Sequence, residues 1–197
     1  MVIAAILLAA GDASIDGVPL ALLPWDDGET LIEYHVAQLR AAGVDVIEVV
    51  LGYEAERIIP LVALDDVEPI VNARWQDGEA GSLRVGATAV PRDTSAAIVV
   101  RIDEPREAGV YRQLLDEHAR SGAAITRPAC EGTPGTPIIV ERAVLAELRN
   151  ATDAAGGLDG ILARHATEIV EVAFGDDAVL LRIEDAASYA RVRERLS

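Results

Sequence analysis

The sequence predicts an α/β fold with a mostly parallel sheet, helices between its strands and antiparallel strands at its edge. Three observations carry that reading. The chain opens on an unbroken aliphatic run, and apolar segments then alternate with helix-patterned ones at short spacing as far as Arg120. After Ala123 the alternation gives way to closely spaced short strands. Regular β-α alternation builds a parallel sheet with right-handed crossovers.

Val2 to Ala9 is apolar at every position, the pattern of a strand buried on both faces. A loop bearing Gly and Asp follows, from Gly11 to Gly28. Thr30 to Arg40 has helical periodicity, and Gly43 just beyond it suits a C-terminal cap. Val44 to Leu51 reads as a second strand and Glu54 to Leu64 as a helix interrupted by Pro60. Glu68 to Val71 is a short third strand, and Gly81 to Val90 a helix entered from a glycine loop. Ala96 to Ile102 is the fourth strand. Glu107 to Arg120 is a helix with Val110, Leu114 and Leu115 on its apolar face. Ala123 to Thr126 and Pro137 to Val140 are short strands around a Pro/Gly-rich turn. Helices at Glu141 to Arg149 and Leu158 to His165 precede strands at Glu168 to Ala173 and Ala178 to Ile183, and a helix from Asp185 to Leu196 closes the pattern. There is no internal repeat or dividing linker, and 197 residues suit one domain spanning 1–197.

Composition narrows the function. With 51% hydrophobic and only 4% aromatic residues the core is aliphatic, and intrinsic disorder is excluded. The formal charge of -16 repels a nucleic-acid backbone, so no nucleic-acid partner is expected. Cys130 is the single cysteine, so neither an internal disulfide nor a thiolate zinc site can form. It reads as a small loop residue without the cations that would activate a thiol. No apolar run reaches the length of a membrane span, and the opening residues lack the basic stretch of a signal peptide. A cytoplasmic protein with no membrane partner is expected. All 17 cations are arginine, so no lysine can grip a phosphate or form a Schiff base.

Ligands of open α/β sheets sit beyond the carboxyl ends of the strands, which directs attention to the first loop. In Leu8-Ala9-Ala10-Gly11 small residues let the backbone approach a ligand and offer amides to an anion. The same glycine could simply end a buried strand. Asp103 ends another apolar strand, where a carboxylate needs a partner. It suits a metal or hydroxyl ligand, or a turn former before Glu104-Pro105. Ser82 could cap a helix, and Trp75 could pack or close a pocket wall. His35, His118 and His165 lack the spacing of a metal motif and read as solvated or helix-end side chains. No Gly-x-Ser-x-Gly elbow, Walker lysine or Gly-x-Gly-x-x-Gly is present, so hydrolase, P-loop and dinucleotide-dependent oxidoreductase readings lose support.

Leu8-Ala9-Ala10-Gly11 followed by Gly17-Val18-Pro19 resembles the signature loop of MobA-like nucleotidyltransferases, which include molybdenum cofactor cytidylyltransferases and guanylyltransferases. The likeness keeps its order along the chain. Asn72 to Gly86 resembles the family's N-x-x-W-x-x-G-x-x-x-S-L-x-x-G segment, and Ile102-Asp103-Glu104-Pro105 its D-x-P strand end. Gly135-Thr136-Pro137 is similar to its G-H-P, and Ile183-Glu184-Asp185 to Tyr189 to its closing acidic segment. The resemblance implies a three-layer, Rossmann-like nucleotidyltransferase fold. It implies transfer of a nucleotidyl group from CTP or GTP to a molybdopterin-type cofactor, with Mg²⁺ and release of pyrophosphate. A molybdoenzyme or maturation protein is the partner it suggests. The nucleotide would lie on Leu8, Ala9, Ala10, Gly11, Gly17, Ser82 and Asp103, and the metal on Asp103 and Glu184.

The departures concentrate in the loop. Ile15 stands where the family carries Arg, Leu20 where it carries Lys, and Ala13 where it carries Ser. Thr136 replaces the G-H-P His, and Arg182 sits where acids are usual. A cation about 4 Å from a phosphate oxygen contributes about 1–4 kcal/mol, so losing two removes roughly 2–8 kcal/mol of transition-state stabilisation. The expectation is a degenerate loop, with two readings. One is a nucleotidyltransferase that draws a replacement cation from Arg84, Arg101 or Arg127. The other is a non-catalytic protein that binds a nucleotide, a pterin or a partner during molybdoenzyme maturation.

Overall fold

The opening aliphatic run becomes the central strand, β1 (Val2–Ala9). The structure is a computed structural model that describes residues 2–196, so the first and last positions of the expected 1–197 domain lie outside the described residues. Within the segment read as a loop, β2 (Ser14–Ile15) and β3 (Val18–Pro19) form a two-rung hairpin. Next comes α1 (Leu31–Ala41), where the Glu33 carboxylate accepts from the Thr30 backbone N–H at 2.8 Å and its hydroxyl at 2.6 Å, fixing the helix start. Gly43, at φ +88°, takes the left-handed position expected of it beyond the helix end.

β4 (Val46–Leu51), α2 (Ala55–Val62) and β5 (Val67–Val71) continue the alternation. Pro60 lies inside α2 instead of interrupting it. Then follow α3 (Glu79–Ala89), β6 (Thr94–Arg101), α4 (Ala108–Ser121), β7 (Ile125–Cys130), β8 (Thr133–Pro134) and β9 (Ile138–Glu141). The chain ends with α5 (Arg142–Leu148), α6 (Gly157–Arg164), β10 (Ile169–Phe174) and α7 (Ala186–Leu196).

The main sheet runs β10-β7-β9-β6-β1-β4-β5, with β8 paired to β7. Strands β5, β4, β1 and β6 are mutually parallel neighbours, as the alternation requires. The antiparallel element sits within the sheet: β9 is inserted between β6 and β7 and runs against both, while β10 extends β7 in parallel.

The expected strand at Ala178 to Ile183 is not one. Asp177–Leu180 forms a 3-10 turn and the residues after it stay outside the sheet. The Val179 carbonyl accepts from the Arg106 guanidinium and from the Thr136 N–H, so partners outside any strand ladder satisfy it.

Alternation along β1 sorts the core into two layers. Ala5, Leu7 and Ala9 face Ile32, Val36 and Leu39 of α1, Ile58 and Val62 of α2, and Tyr111 and Leu114 of α4. Ala4, Ile6 and Leu8 face Leu83 of α3, Leu145 of α5 and Ile161 of α6. A third cluster joins Leu20, Leu23, Trp25, Leu31 and Tyr34 to Ile183, Val192 and Leu196 of the closing segment. Tyr189 packs against Trp25 and donates its hydroxyl to the Pro24 carbonyl.

Several polar residues are placed differently from the sequence reading. His35 is fully buried, with Nε2 at 3.0 Å from the Ile102 carbonyl, and burial pulls its pKa down to about 4. His118 is also buried, against the Thr126 hydroxyl at 2.9 Å, and burial lowers its pKa. Both fall on inward faces of helices that a short polar pattern leaves ambiguous. His118 does lie in the last turn of α4, and His165 ends α6, held between Glu147 and Glu168, where its hydrogen bond to Glu147 raises its pKa. Cys130 ends β7 and is buried, which raises its thiol pKa together with the neighbouring carboxylates. Glu48 interrupts the aliphatic interior of β4, 3% exposed and in register with Ile6 of β1 and Glu68 of β5.

Candidate functional site

The strand order reverses between β1 and β6, and a crevice of about 820 Å³ opens beyond their carboxyl ends. It gathers Leu8, Ala10, Gly11, Ser82, Asp103 and Glu184 of the residues anticipated from the sequence. Ala9 and Gly17 lie outside it. Ala9 points to the opposite face of β1 and lines a separate hollow of about 40 Å³ with Tyr53 and Ile58. Gly17 forms the β2–β3 turn at φ +79°, a conformation glycine adopts without strain.

The hairpin explains why the loop carries no cations. Ile15 and Val18 pack against the third cluster and Leu20 is buried within it, so the two positions that lack Arg and Lys instead anchor the loop to α1 and α7. The positive charge comes from other elements. Among the described residues, the guanidiniums lining the cleft are those of Arg101, at the end of β6, and Arg182, ahead of α7. Arg84 bonds the Ala151 carbonyl, and Arg127 pairs with Glu171 at 2.6 Å on β10; neither reaches the cleft.

The two arginines are held differently. Arg101 makes a two-pronged contact with Glu79, at 2.7 and 2.9 Å, and lies 3.8 Å from Glu104; its side chain is 22% exposed. Arg182 touches Asp103 through Nε alone, 2.6 Å from Oδ2, and its side chain is 53% exposed. The charge on Asp103 raises the Arg182 pKa further. Burial raises the Glu104 pKa, an effect partly offset by the charge of Arg101.

Arg106 sets this geometry and carried no recognisable signal in the sequence beyond following Asp103-Glu104-Pro105. It is 1% exposed and uses all five N–H donors. Nε and Nη2 donate to the Thr136 carbonyl and hydroxyl, Nη1 to the Pro105 and Leu181 carbonyls, and Nη2 also to the Val179 carbonyl. The turn after β6, the Gly135-Thr136-Pro137 segment and the stretch before Arg182 are thereby tied together. The Ile183 N–H completes the tie by donating to the Asp103 carbonyl at 2.8 Å. Glu184 is positioned by the start of α7, where Ser188 Oγ accepts from the Glu184 and Asp185 amides.

The opposite wall is Trp75, packed on Tyr53 with ring centroids 5.8 Å apart. Gly52 beneath it is required: a Cβ there would lie 2.5 Å from the Trp75 ring and 2.6 Å from the Ala10 carbonyl. Ser82 does not cap α3, which begins at Glu79 behind Gly78. Its buried hydroxyl accepts from Asn72 Nδ2 at 3.0 Å, and Asn72 Oδ1 accepts from the Arg74 N–H.

Asp12, Asp103 and Glu184 offer this cleft carboxylate oxygens, the donors that Mg²⁺ and Mn²⁺ take. Among the described residues no three His, Cys, Asp or Glu side chains converge into a ready-made metal site. The donor set fits an ion held by one or two carboxylates, with phosphate oxygens completing its shell. Among the described residues, no helix is long and apolar enough to cross a membrane.

Comparison with known proteins bears on the family and the fold. A family model described as the MobA-like NTP transferase domain matches residues 5–169. The structure of Rv0371c from Mycobacterium tuberculosis H37Rv is 25% identical, with TM-score 0.82 over 98% of this chain and 97% of that one. A manganese complex of Rv0371c aligns over 100% of both chains at 24% identity and TM-score 0.79. A nucleotidyl transferase from Methanothermobacter thermautotroptrophicus shares the fold at 22% identity and TM-score 0.81, over 98% of this chain and 97% of that one. Among curated proteins none matches.

Proposed function

The chain belongs to the MobA-like NTP transferase family, and from that premise we propose that its cleft binds a nucleoside triphosphate and transfers the nucleotidyl group to a phosphorylated acceptor. One observation carries the reading: two guanidiniums line the switch-point cleft although the loop positions that would hold cations are apolar packing. In this reading a phosphate oxygen of the acceptor attacks the α-phosphorus and pyrophosphate leaves. Arg101 and Arg182 neutralise the phosphates while charge moves to the leaving group. The Leu8 to Gly11 strand end brings backbone close to them, Trp75 covers the nucleoside side, and Ser82 lies within reach of the base. Asp103 and Glu184 would hold Mg²⁺, which supplies further positive charge to the phosphates. CTP or GTP is the donor and a molybdopterin-type compound the acceptor, in a cytoplasmic setting that suits a molybdoenzyme or maturation partner.

A second reading, binding without transfer, is favoured by a specific observation. Both cleft arginines are already engaged by carboxylates, and four carboxylates line the cleft against two guanidiniums. Calorimetry with CTP and GTP, with and without Mg²⁺, tests the shared premise, and pyrophosphate release with a molybdopterin acceptor separates the readings. Arg101→Ala is expected to weaken triphosphate binding at least about tenfold, the loss of a charge-assisted contact of about 1.5 kcal/mol. Binding unchanged in that variant refutes the placement of the phosphates.

A further inference from the structure

We propose that Arg182 and a divalent cation compete for the Asp103 carboxylate, and that nucleotide phosphates resolve the competition by drawing Arg182 away. This rests on the reading that the cleft takes a nucleotide. Arg182 occupies Oδ2 of Asp103 at 2.6 Å. A cation on the remaining oxygen would share one carboxylate with a guanidinium and meet its charge at close range. Metal therefore binds the free protein weakly.

Arg182 is built to move, whereas Arg101 is not. Arg101 is gripped at two atoms by Glu79 and is mostly covered, but Arg182 has one contact and half its side chain in solvent. A phosphate entering the cleft meets the N–H groups that Asp103 leaves unused. Arginine prefers a two-pronged contact with phosphate to a single-atom one with a carboxylate. Its departure frees Oδ2, and the ion binds where the phosphates can also reach it. Nucleotide then tightens metal binding, and metal tightens nucleotide binding by the same factor.

The test measures Mn²⁺ binding by calorimetry and by the electron paramagnetic resonance of free Mn²⁺, with no turnover needed. In the nucleotide-free protein Arg182→Ala is expected to bind Mn²⁺ about five- to tenfold tighter than the wild type, within the usual range of coupling between sites. Arg182→Gln, which keeps a hydrogen-bonding side chain, is expected to fall on the same side. Asp103→Asn is expected to abolish the gain. A non-hydrolysable CTP or GTP analogue should tighten Mn²⁺ binding by a larger factor in the wild type than in Arg182→Ala, where only ligation by the phosphate oxygens remains. Equal Mn²⁺ affinity in the nucleotide-free wild type and both Arg182 variants overturns the inference. Failure of every nucleotide to bind, alongside tighter Mn²⁺ binding in the variants, refutes the functional reading and leaves the competition at Asp103 standing.

Discussion

Glu48→Gln gives a direct measure of what one buried carboxylate costs this sheet. Burial, and secondarily the charge of Glu68 beside it, pushes the Glu48 pKa up to about 7 from an unfolded value of 4.5. The folded protein therefore holds a proton that the unfolded chain releases between about pH 4.5 and 7, so stability falls as pH rises through that window. Each pKa unit is worth about 1.4 kcal/mol, so the full difference is about 3 kcal/mol above pH 7. Water reaching the carboxylate from the exposed Glu68 side reduces this to an expected effect of about 2 kcal/mol. Glutamine keeps the shape and cannot ionise. The variant should match the wild type near pH 4.5 and exceed its stability by about 2 kcal/mol at pH 8, which raises the melting temperature by about 4–8 °C. Urea titrations at half-unit pH steps give the difference curve, which isolates Glu48 from every other titrating group. Parallel stability curves from pH 4.5 to 8 would show that Glu48 is hydrated in the folded state and refute the reasoning.

The other predictions concern the elements that build the cleft. Arg106→Leu leaves the Pro105, Thr136 and Leu181 carbonyls, from three segments, without their donor and is expected to cost at least about 3 kcal/mol in chemical denaturation. Arg106→Lys should recover only part of that, since an ammonium cannot reproduce the planar fork. Restoring the loop cations with Ile15→Arg and Leu20→Lys is expected to destabilise the fold by about 2–5 kcal/mol, because Leu20 is buried and Ile15 packs on the same cluster. A double variant of wild-type stability would show that the hairpin can release those side chains to the cleft.

Much of the architecture was legible because it follows from short-range patterning. The apolar run of Val2 to Ala9 coincides with β1, and Thr30 with Gly43 brackets α1. The sequence also placed Gly11 and Asp103 at one cleft, since strand ends on one side of a parallel sheet converge there, whereas Glu184 was legible only through the family resemblance. What it could not supply depends on contacts far apart in the chain. Ala178 to Ile183 has a strand's composition, yet its backbone is satisfied by an arginine more than seventy positions earlier. Ile15 and Leu20 read as lost cations until α7 is seen beneath them. Arg101 and Arg182 meet in the cleft only because Arg106 and the Ile183–Asp103 hydrogen bond join their segments.

The third apolar cluster also bears on how the protein is made. It joins Leu20 to Tyr34, near the beginning of the chain, to Ile183, Val192 and Leu196 near its end. During synthesis the amino-terminal strands and helices can begin to assemble as they emerge from the ribosome. The hairpin at the mouth has part of its support from Leu31 and Tyr34 of α1, and the rest arrives only when Leu196 is clear of the exit tunnel. The nascent chain therefore acquires most of its interior before it acquires a finished entrance.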